Sequence, residues 1–306
     1  VLSISGSDAS KFLQGYITAD IVKHAQSGCY GAMLNAQGRV LADVFVYPNT
    51  GDASTSSHFV DCDVSLVDRL VKHLNMFKMR SKVAITSVKD EYDVWTFWKA
   101  AADVEADFDV PSSVAVMRDG RWTSSATRVL LPSGVEPQGT AFQKVPVEDY
   151  HVHRITRGIL EGPHDFKHAK SFPFESNLDY MRGVHFNKGC YLGQEPTART
   201  FFRGATKKRV VPVQFYSSLD TLSSSQNSSL AVDAEAIPET PAPDTQLRHI
   251  GKDDPAGTLC STLHNVGLAL LRLPADGPFQ AEGPGGSHVY ARPFLPSWWE
   301  ERGTGK

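Results

Sequence analysis

Along residues 7–17 a polar opening, Ser7-Asp-Ala-Ser10, is followed by Phe12, Leu13, Tyr16 and Ile17, which share one face of a helix. The period changes at Gly28. Residues 28–34 and 40–47 are apolar runs separated by Asn35-Ala-Gln-Gly38, the pattern of a β-hairpin. Residues 58–62 read as a strand, and Val64 to Phe77 as a helix with Val67, Leu70, Val71, Leu74 and Phe77 on one side. Strands are predicted again at 83–85 and 92–98. Residues 101–140 are irregular apart from a strand-like patch at 127–131, and 148–159 is helical. Residues 208–216 open a β-rich C-terminal part that continues at 257–260, 266–273 and 288–292. Helices and strands alternating with hairpins indicate an α+β fold.

Residues 217–257 break this pattern. They are rich in Ser, Pro and Asp, include the run 223–229, and contain few large apolar residues. Such a segment buries too little surface to offset its ordering entropy, so an extended or flexible surface insertion is expected.

Composition narrows the function. A chain of 306 residues with 41% hydrophobic and 21% charged residues fits a globular protein of one to three domains. The net charge of −3 offers no electrostatic case for nucleic-acid binding. No apolar run approaches the length of a membrane span. Neither G-x-x-x-x-G-K-[ST] nor G-x-G-x-x-G occurs, which disfavours nucleotide-driven and dinucleotide chemistry. Cys29, Cys62, Cys190 and Cys260 are widely spaced with no C-x-x-C, so a disulfide framework is not expected.

One of the four stands apart. Cys190 lies in Lys188-Gly-Cys-Tyr-Leu-Gly-Gln-Glu195. A free cysteine is most often a buried packing residue, but flanking Lys, Gln and Glu resist burial. Gly189 and Gly193 are expected to allow backbone conformations closed to other residues. Pro196 is expected to hold Glu195 extended. Lys188 and Arg199 are expected to favour a thiolate. Three chemistries compete for a working thiol. A Cys–His hydrolase needs an oriented base, and nearby His185 carries no such signature. Redox catalysis needs a resolving cysteine, and none is near. A cluster needs several thiolates, so a lone cysteine suits a cluster shared with a partner.

Weaker candidates have plain structural readings. His164 with His168, and His151 with His153, lack the third and fourth ligands of a metal site. Asp61 and Asp63 read as caps of the following helix. Lys207-Lys-Arg209 reads as a solvated basic face, and Trp298-Trp299 as tail packing.

The motif 188–195 with Arg199 resembles the signature of the YgfZ-related proteins. Ser5-Gly-Ser-Asp-Ala-Ser-Lys-Phe-Leu-Gln14 with Thr18 and Asp20, Asn35-Ala-Gln-Gly-Arg-Val-Leu-Ala-Asp43, and Phe201-Phe-Arg-Gly-Ala-Thr-Lys-Lys-Arg209 resemble further blocks of that family. The resemblance implies a fold similar to the glycine-cleavage T-protein: two mixed α/β domains and a C-terminal β-barrel in a three-part ring around a central pocket. On this chain the parts are residues 1–47 with 141–205, 48–140, and 206–306 with an insertion at 217–257. The eukaryotic branch implies a mitochondrial matrix assembly factor. It would act with A-type iron–sulfur scaffold proteins in making [4Fe–4S] clusters, as a monomer on its own and with no turnover of its own. A first residue of Val1 rather than Met fits a chain whose transit peptide has been removed.

Carried over by position, Cys190 is the ligand of a transient cluster, a [2Fe–2S] shared with the partner. Lys188, Gly189, Tyr191, Gly193, Gln194, Glu195 and Arg199 are its frame. The T-protein-like fold also raises an alternative, a tetrahydrofolate-dependent aminomethyl transferase, with Asp43 and Glu161 as candidate pocket carboxylates.

Overall fold

A computed structural model describes residues 1–47, 56–98, 115–121, 126–138, 142–225, 230–296 and 298–299. In chain order these form β1 (Leu2–Ser5), α1 (Ala9–Gln14), β2 (Cys29–Leu34), β3 (Val40–Val46), β4 (Ser57–Asp61), α2 (Val67–Phe77), β5 (Ala84–Ser87), β6 (Tyr92–Phe97), β7 (Ala115–Arg118) and β8 (Thr127–Pro132). Then follow α3 (Val147–Thr156), α4 (Gly162–Asp165), α5 (Gln194–Arg203), β9 (Lys208–Tyr216), α6 (Leu219–Ser224), β10 (Gln246–His249), β11 (Pro255–Leu263), β12 (Val266–Arg272), β13 (Phe279–Glu282) and β14 (His288–Pro293). The chain divides into two compact units. The first comprises Val1–Lys144, Lys167–Ser171 and Met181–Phe202, and the second comprises Val145–Phe166, Phe172–Tyr180 and Arg203–Lys306.

The first unit holds an antiparallel sheet in the order β2-β3-β4-β1-β5. The β2–β3 hairpin at one side of the sheet is buried along every residue of both strands, which is why those strands read as continuous apolar runs. The turn closes at Gly38 (φ +73°), while the Asn35 carboxamide oxygen accepts the amides of Gln37 and Arg39. Leu13 and Phe12 from α1, and Leu70 and Leu74 from α2, join Leu2, Ile4, Val44 and Val60 of the sheet in one core. A second sheet, β6-β8-β7, belongs to the same unit. Residues 48–140 thus supply strands to both sheets, with 48–55, 99–114, 122–125 and 139–140 outside the described residues.

Two buried ion pairs lie beside the aromatic pair Tyr30–Phe45. Arg121 pairs with Asp119, and Arg128 with Asp61 at 2.7 Å, its guanidinium 3.8 Å from the Phe45 ring centroid. The capping expectation for Asp61 is therefore corrected. Asp63 alone accepts the Ser65 amide ahead of the helix, while the Asp61 carboxylate is turned to the buried Arg128 guanidinium.

Besides α3, α4 and α6, the second unit holds a closed six-strand barrel in the order β10-β11-β12-β9-β14-β13. Val211, Val213, Phe215, Leu247, Leu259, Leu271, Phe279 and Val289 fill it. The flexible-insertion expectation for 217–257 is corrected. Ser218 and Thr221 form a capping box that starts α6. Ile237 and Leu247 reach the barrel core, and β10 closes the barrel between β11 and β13. Backbone ladders and two well-placed apolar side chains suffice where composition suggested none; residues 226–229 lie outside the described set. Arg209, expected on a solvated face, is buried. It makes two contacts of 2.9 and 3.0 Å to the Asp179 carboxylate and stacks 3.8 Å from the Tyr180 ring centroid. Trp298 packs as expected, its indole donating to the Arg157 carbonyl.

Candidate functional site around Cys190

Exposure separates the four cysteines. Cys29 and Cys260 are buried, Cys62 is half-buried, and Cys190 is exposed. Burial pushes the Cys29 thiol up to about 12. Cys62 is likewise pushed up to about 12 by burial, with Asp61 adding to it. Both stay protonated and inert near neutral pH.

The residues on either side of Cys190 are pinned. The Lys188 ammonium donates to the carbonyls of Gln14 (2.9 Å), Ile17 (2.6 Å) and Ala19 (2.6 Å), which uses all three of its donors. These carbonyls lie at and just beyond the C-terminal end of α1, where a helix leaves acceptors unpaired and favours a cation. The ammonium also stands 5.0 Å from the Tyr191 ring centroid. Burial pushes it down to about 8, against the pull of Asp20. Lys188 therefore anchors the loop, a different task from the thiolate stabilisation expected of it. Downstream, Leu192 donates its amide to Gly15, and the Gln194 carboxamide oxygen accepts the Tyr191 amide.

Of the two motif glycines, only Gly193 needs to be glycine for its backbone. Its φ is +77°, and an added Cβ would lie 2.4 Å from the Asn35 carbonyl oxygen. This close approach joins the motif to the β2–β3 turn, since Gly38 meets Pro196 and the Gly193 carbonyl from the other side. Gly189 has no left-handed φ and nothing within 4 Å of a would-be Cβ. It leaves the space next to Cys190 open.

Glu195 is not extended, as expected from Pro196, but lies in the first turn of α5. Proline is tolerated in a first turn because the amide it lacks has no helical partner there. Glu195 and Arg199 form an exposed i,i+4 pair at 2.6 Å on that helix.

Other candidates sit elsewhere. His185 faces His24, with 3.3 Å between their Nε2 atoms. His151 accepts from Arg154, His153 contacts Arg157, and His168 contacts the Leu41 carbonyl. Among the described residues no three His, Cys, Asp or Glu side chains converge to hold a metal ion. Asp43 is buried on β3 in the first unit. Glu161, in the second unit, precedes α4 and accepts the Tyr150 hydroxyl at 2.6 Å. Sequence reasoning missed a groove of about 430 Å³ in the first unit, lined by α1 residues Lys11 and Phe12, by Tyr16 and Phe77, and by Cys190 to Leu192. Its aromatic members read only as core positions of two helices.

Comparison with known proteins agrees with this architecture. Residues 207–301 match the family described as CAF17, C-terminal beta-barrel domain, which coincides with the barrel. The aminomethyltransferase T of the Bartonella henselae glycine cleavage system superposes with a TM-score of 0.67 at 10% identity, over 97% of this chain and 83% of its own. That likeness concerns the fold alone. A Coccidioides immitis protein named iron–sulfur cluster assembly factor IBA57 homolog, mitochondrial, is 33% identical, over 97% of this chain and 75% of its own. Proteins of the same name from Pyricularia oryzae (35%; 89% of this chain, 69% of its own) and Mycosarcoma maydis (32%; 98% and 82%) are similarly close. No described helix is long and apolar enough to cross a membrane. With about a third of positions identical over about nine-tenths of its length or more, the chain belongs to the IBA57 family of YgfZ-related iron–sulfur cluster assembly factors.

Proposed function

We propose that this protein works in the mitochondrial matrix with A-type iron–sulfur scaffold proteins in [4Fe–4S] cluster maturation, and that Cys190 ligates a [2Fe–2S] cluster held jointly with the scaffold. The observation that carries the reading is the exposure of one thiol out of four, on a loop anchored on both sides. The cluster is cargo. One thiol that has given up its proton supplies one bond to iron, and the remaining ligands come from the partner, so attachment stays reversible. Lys188, Tyr191, Gly193 and Gln194 fix where the sulfur sits. Gly189 keeps its approach clear for a macromolecule, and Glu195 and Arg199 pair with each other on the exposed face of α5, the helix that follows the loop.

Anaerobic size-exclusion with visible absorbance tests this, mixing the protein with a [2Fe–2S]-loaded A-type scaffold. Wild type should co-migrate with the scaffold and share its chromophore, and Cys190→Ser should lose both while keeping its melting temperature. Failure of wild type to bind removes the reading. The tetrahydrofolate-dependent transferase has the fold in its favour, but fold does not set function, and neither Asp43 nor Glu161 lines the groove beside Cys190. Stoichiometric tetrahydrofolate binding together with aminomethyl turnover would reinstate it.

A further inference from the structure

The groove beside Cys190 has a chemistry of its own. Its floor is aromatic: Phe12 and Tyr16 have ring centroids 4.7 Å apart, and Tyr16 and Phe77 5.8 Å. One rim is the turn after α2, where Phe77 and Ser81 line the groove and Lys78, Met79 and Arg80 lie between them. Met76 is 69% exposed and Met79 88% exposed. Met79 also has a left-handed φ of +46°, uncommon for a residue with a side chain and held in place by its surroundings. The turn is tied down at its end, where the Lys82 amide donates to the Asp8 carboxylate at 2.7 Å and the Ser81 amide to the Lys78 carbonyl at 2.9 Å. The strained turn therefore presents a flexible, polarizable thioether to solvent on a fixed base.

The rim is also positively charged. Lys11 lines the groove, Lys78, Arg80 and Lys82 lie on the turn that carries its lining residues Phe77 and Ser81, and none of the four forms an ion pair among the described residues. Asp8 is the single carboxylate in the lining. An oxidised [2Fe–2S] cluster on four thiolates is a dianion, so the cargo that would meet Cys190 and this rim are opposite in charge.

We propose that the groove docks the cluster-carrying partner through an extended, acidic segment. In this arrangement an apolar side chain of the segment lies on the Phe12–Tyr16–Phe77 floor against Met79, and its carboxylates lie on the Lys11 and Arg80 rim. The segment adjoins the partner's own cluster ligands, so docking sets the cluster against Cys190. This inference deepens the shared-cluster reading and rests on it for the partner's class.

Anaerobic binding isotherms at several salt concentrations test it, with an A-type scaffold protein carrying a [2Fe–2S] cluster and the same protein without one. The Lys11→Glu, Arg80→Glu double variant should bind the loaded scaffold about tenfold more weakly and with a flatter salt dependence. Met79→Gly should weaken binding about threefold while its melting temperature is unchanged or higher, because glycine suits the left-handed backbone. The cluster-free scaffold should retain weak, salt-sensitive binding that the double variant lacks. If both groove variants bind within about twofold of wild type while Cys190→Ser loses the complex, docking through the groove is overturned and the shared-cluster reading stands. If Cys190→Ser binds like wild type while the groove variants fail, the groove stands and the ligand assignment falls. No association by wild type removes both. Dimerisation of the protein alone, abolished by Met79→Gly, would assign the groove to a second copy and overturn the proposal.

Discussion

Two glycines a few residues apart illustrate how little residue type says about residue role. Gly193 is trapped by φ +77° and by the Asn35 carbonyl oxygen, 2.4 Å from a would-be Cβ. Gly193→Ala should cost about 3 kcal/mol, from the left-handed backbone and the clash together, measured by urea unfolding. Gly189→Ala has open space and ordinary backbone, and its stability should stay within about 0.5 kcal/mol of wild type. Equal losses from the two would refute this division. Burial, reinforced by Arg157, pushes the His153 imidazole down to about 3. The unfolded chain takes up this proton near pH 6.5, so the unfolded state binds more protons than the folded one below that pH. The stability His153 provides is present above about pH 6.5 and is lost as pH falls from there toward about 3. Burial shifts His24, His58, His151 and His185 in the same direction. Thermal unfolding midpoints should fall between pH 7 and 5, and less steeply in His153→Gln. Superimposable pH profiles would exclude that role.

At the scale of elements, context overrode two local rules. Pro196 is expected to keep Glu195 extended, yet a proline in the first turn of a helix costs little because the amide it lacks has no helical partner there, and α5 begins at Gln194 after the Gly193 turn. The polar segment 217–257 was expected to stay outside the fold, yet β10 is an integral barrel strand. Leu247 is the measure of it, fully buried between β11 and β13. Leu247→Ala should destabilise the protein by about 3 kcal/mol by calorimetry or denaturant unfolding. A loss below about 0.5 kcal/mol would return the segment to the surface. The short strands β7 and β13 escaped sequence reading for a related reason: four residues give too little alternation to stand out from a loop.

For the whole molecule, thiol chemistry offers a count. All four cysteines are described and one is exposed. A disulfide-exchange reagent should titrate one thiol rapidly in the native protein, with Cys29, Cys62 and Cys260 reacting only after unfolding. Two fast thiols, or a fast phase that survives in Cys190→Ser, would contradict the structure. This test asks nothing of a partner and so separates the state of the loop from the function proposed for it.

Periodicity alone made the α+β class, the β2–β3 hairpin, the α2 helix and β9 legible, because their apolar side chains repeat at the spacing of the face they bury. The string from Lys188 to Glu195 made the Cys190 loop stand out, because lysine, glutamine and glutamate beside a cysteine argue against burial. Other facts depended on partners distant in sequence. Lys188 reads as a charge for the thiol until the carbonyls of Gln14, Ile17 and Ala19 are brought beneath it. Arg209 reads as surface until Asp179 and Tyr180 enclose it. Phe12, Tyr16 and Phe77 read as core until the turn at Met79 and the Cys190 loop leave a groove between them. A hydrogen bond or an ion pair is a relation between two positions, and a local pattern contains only one of them. The tertiary fold supplied the other.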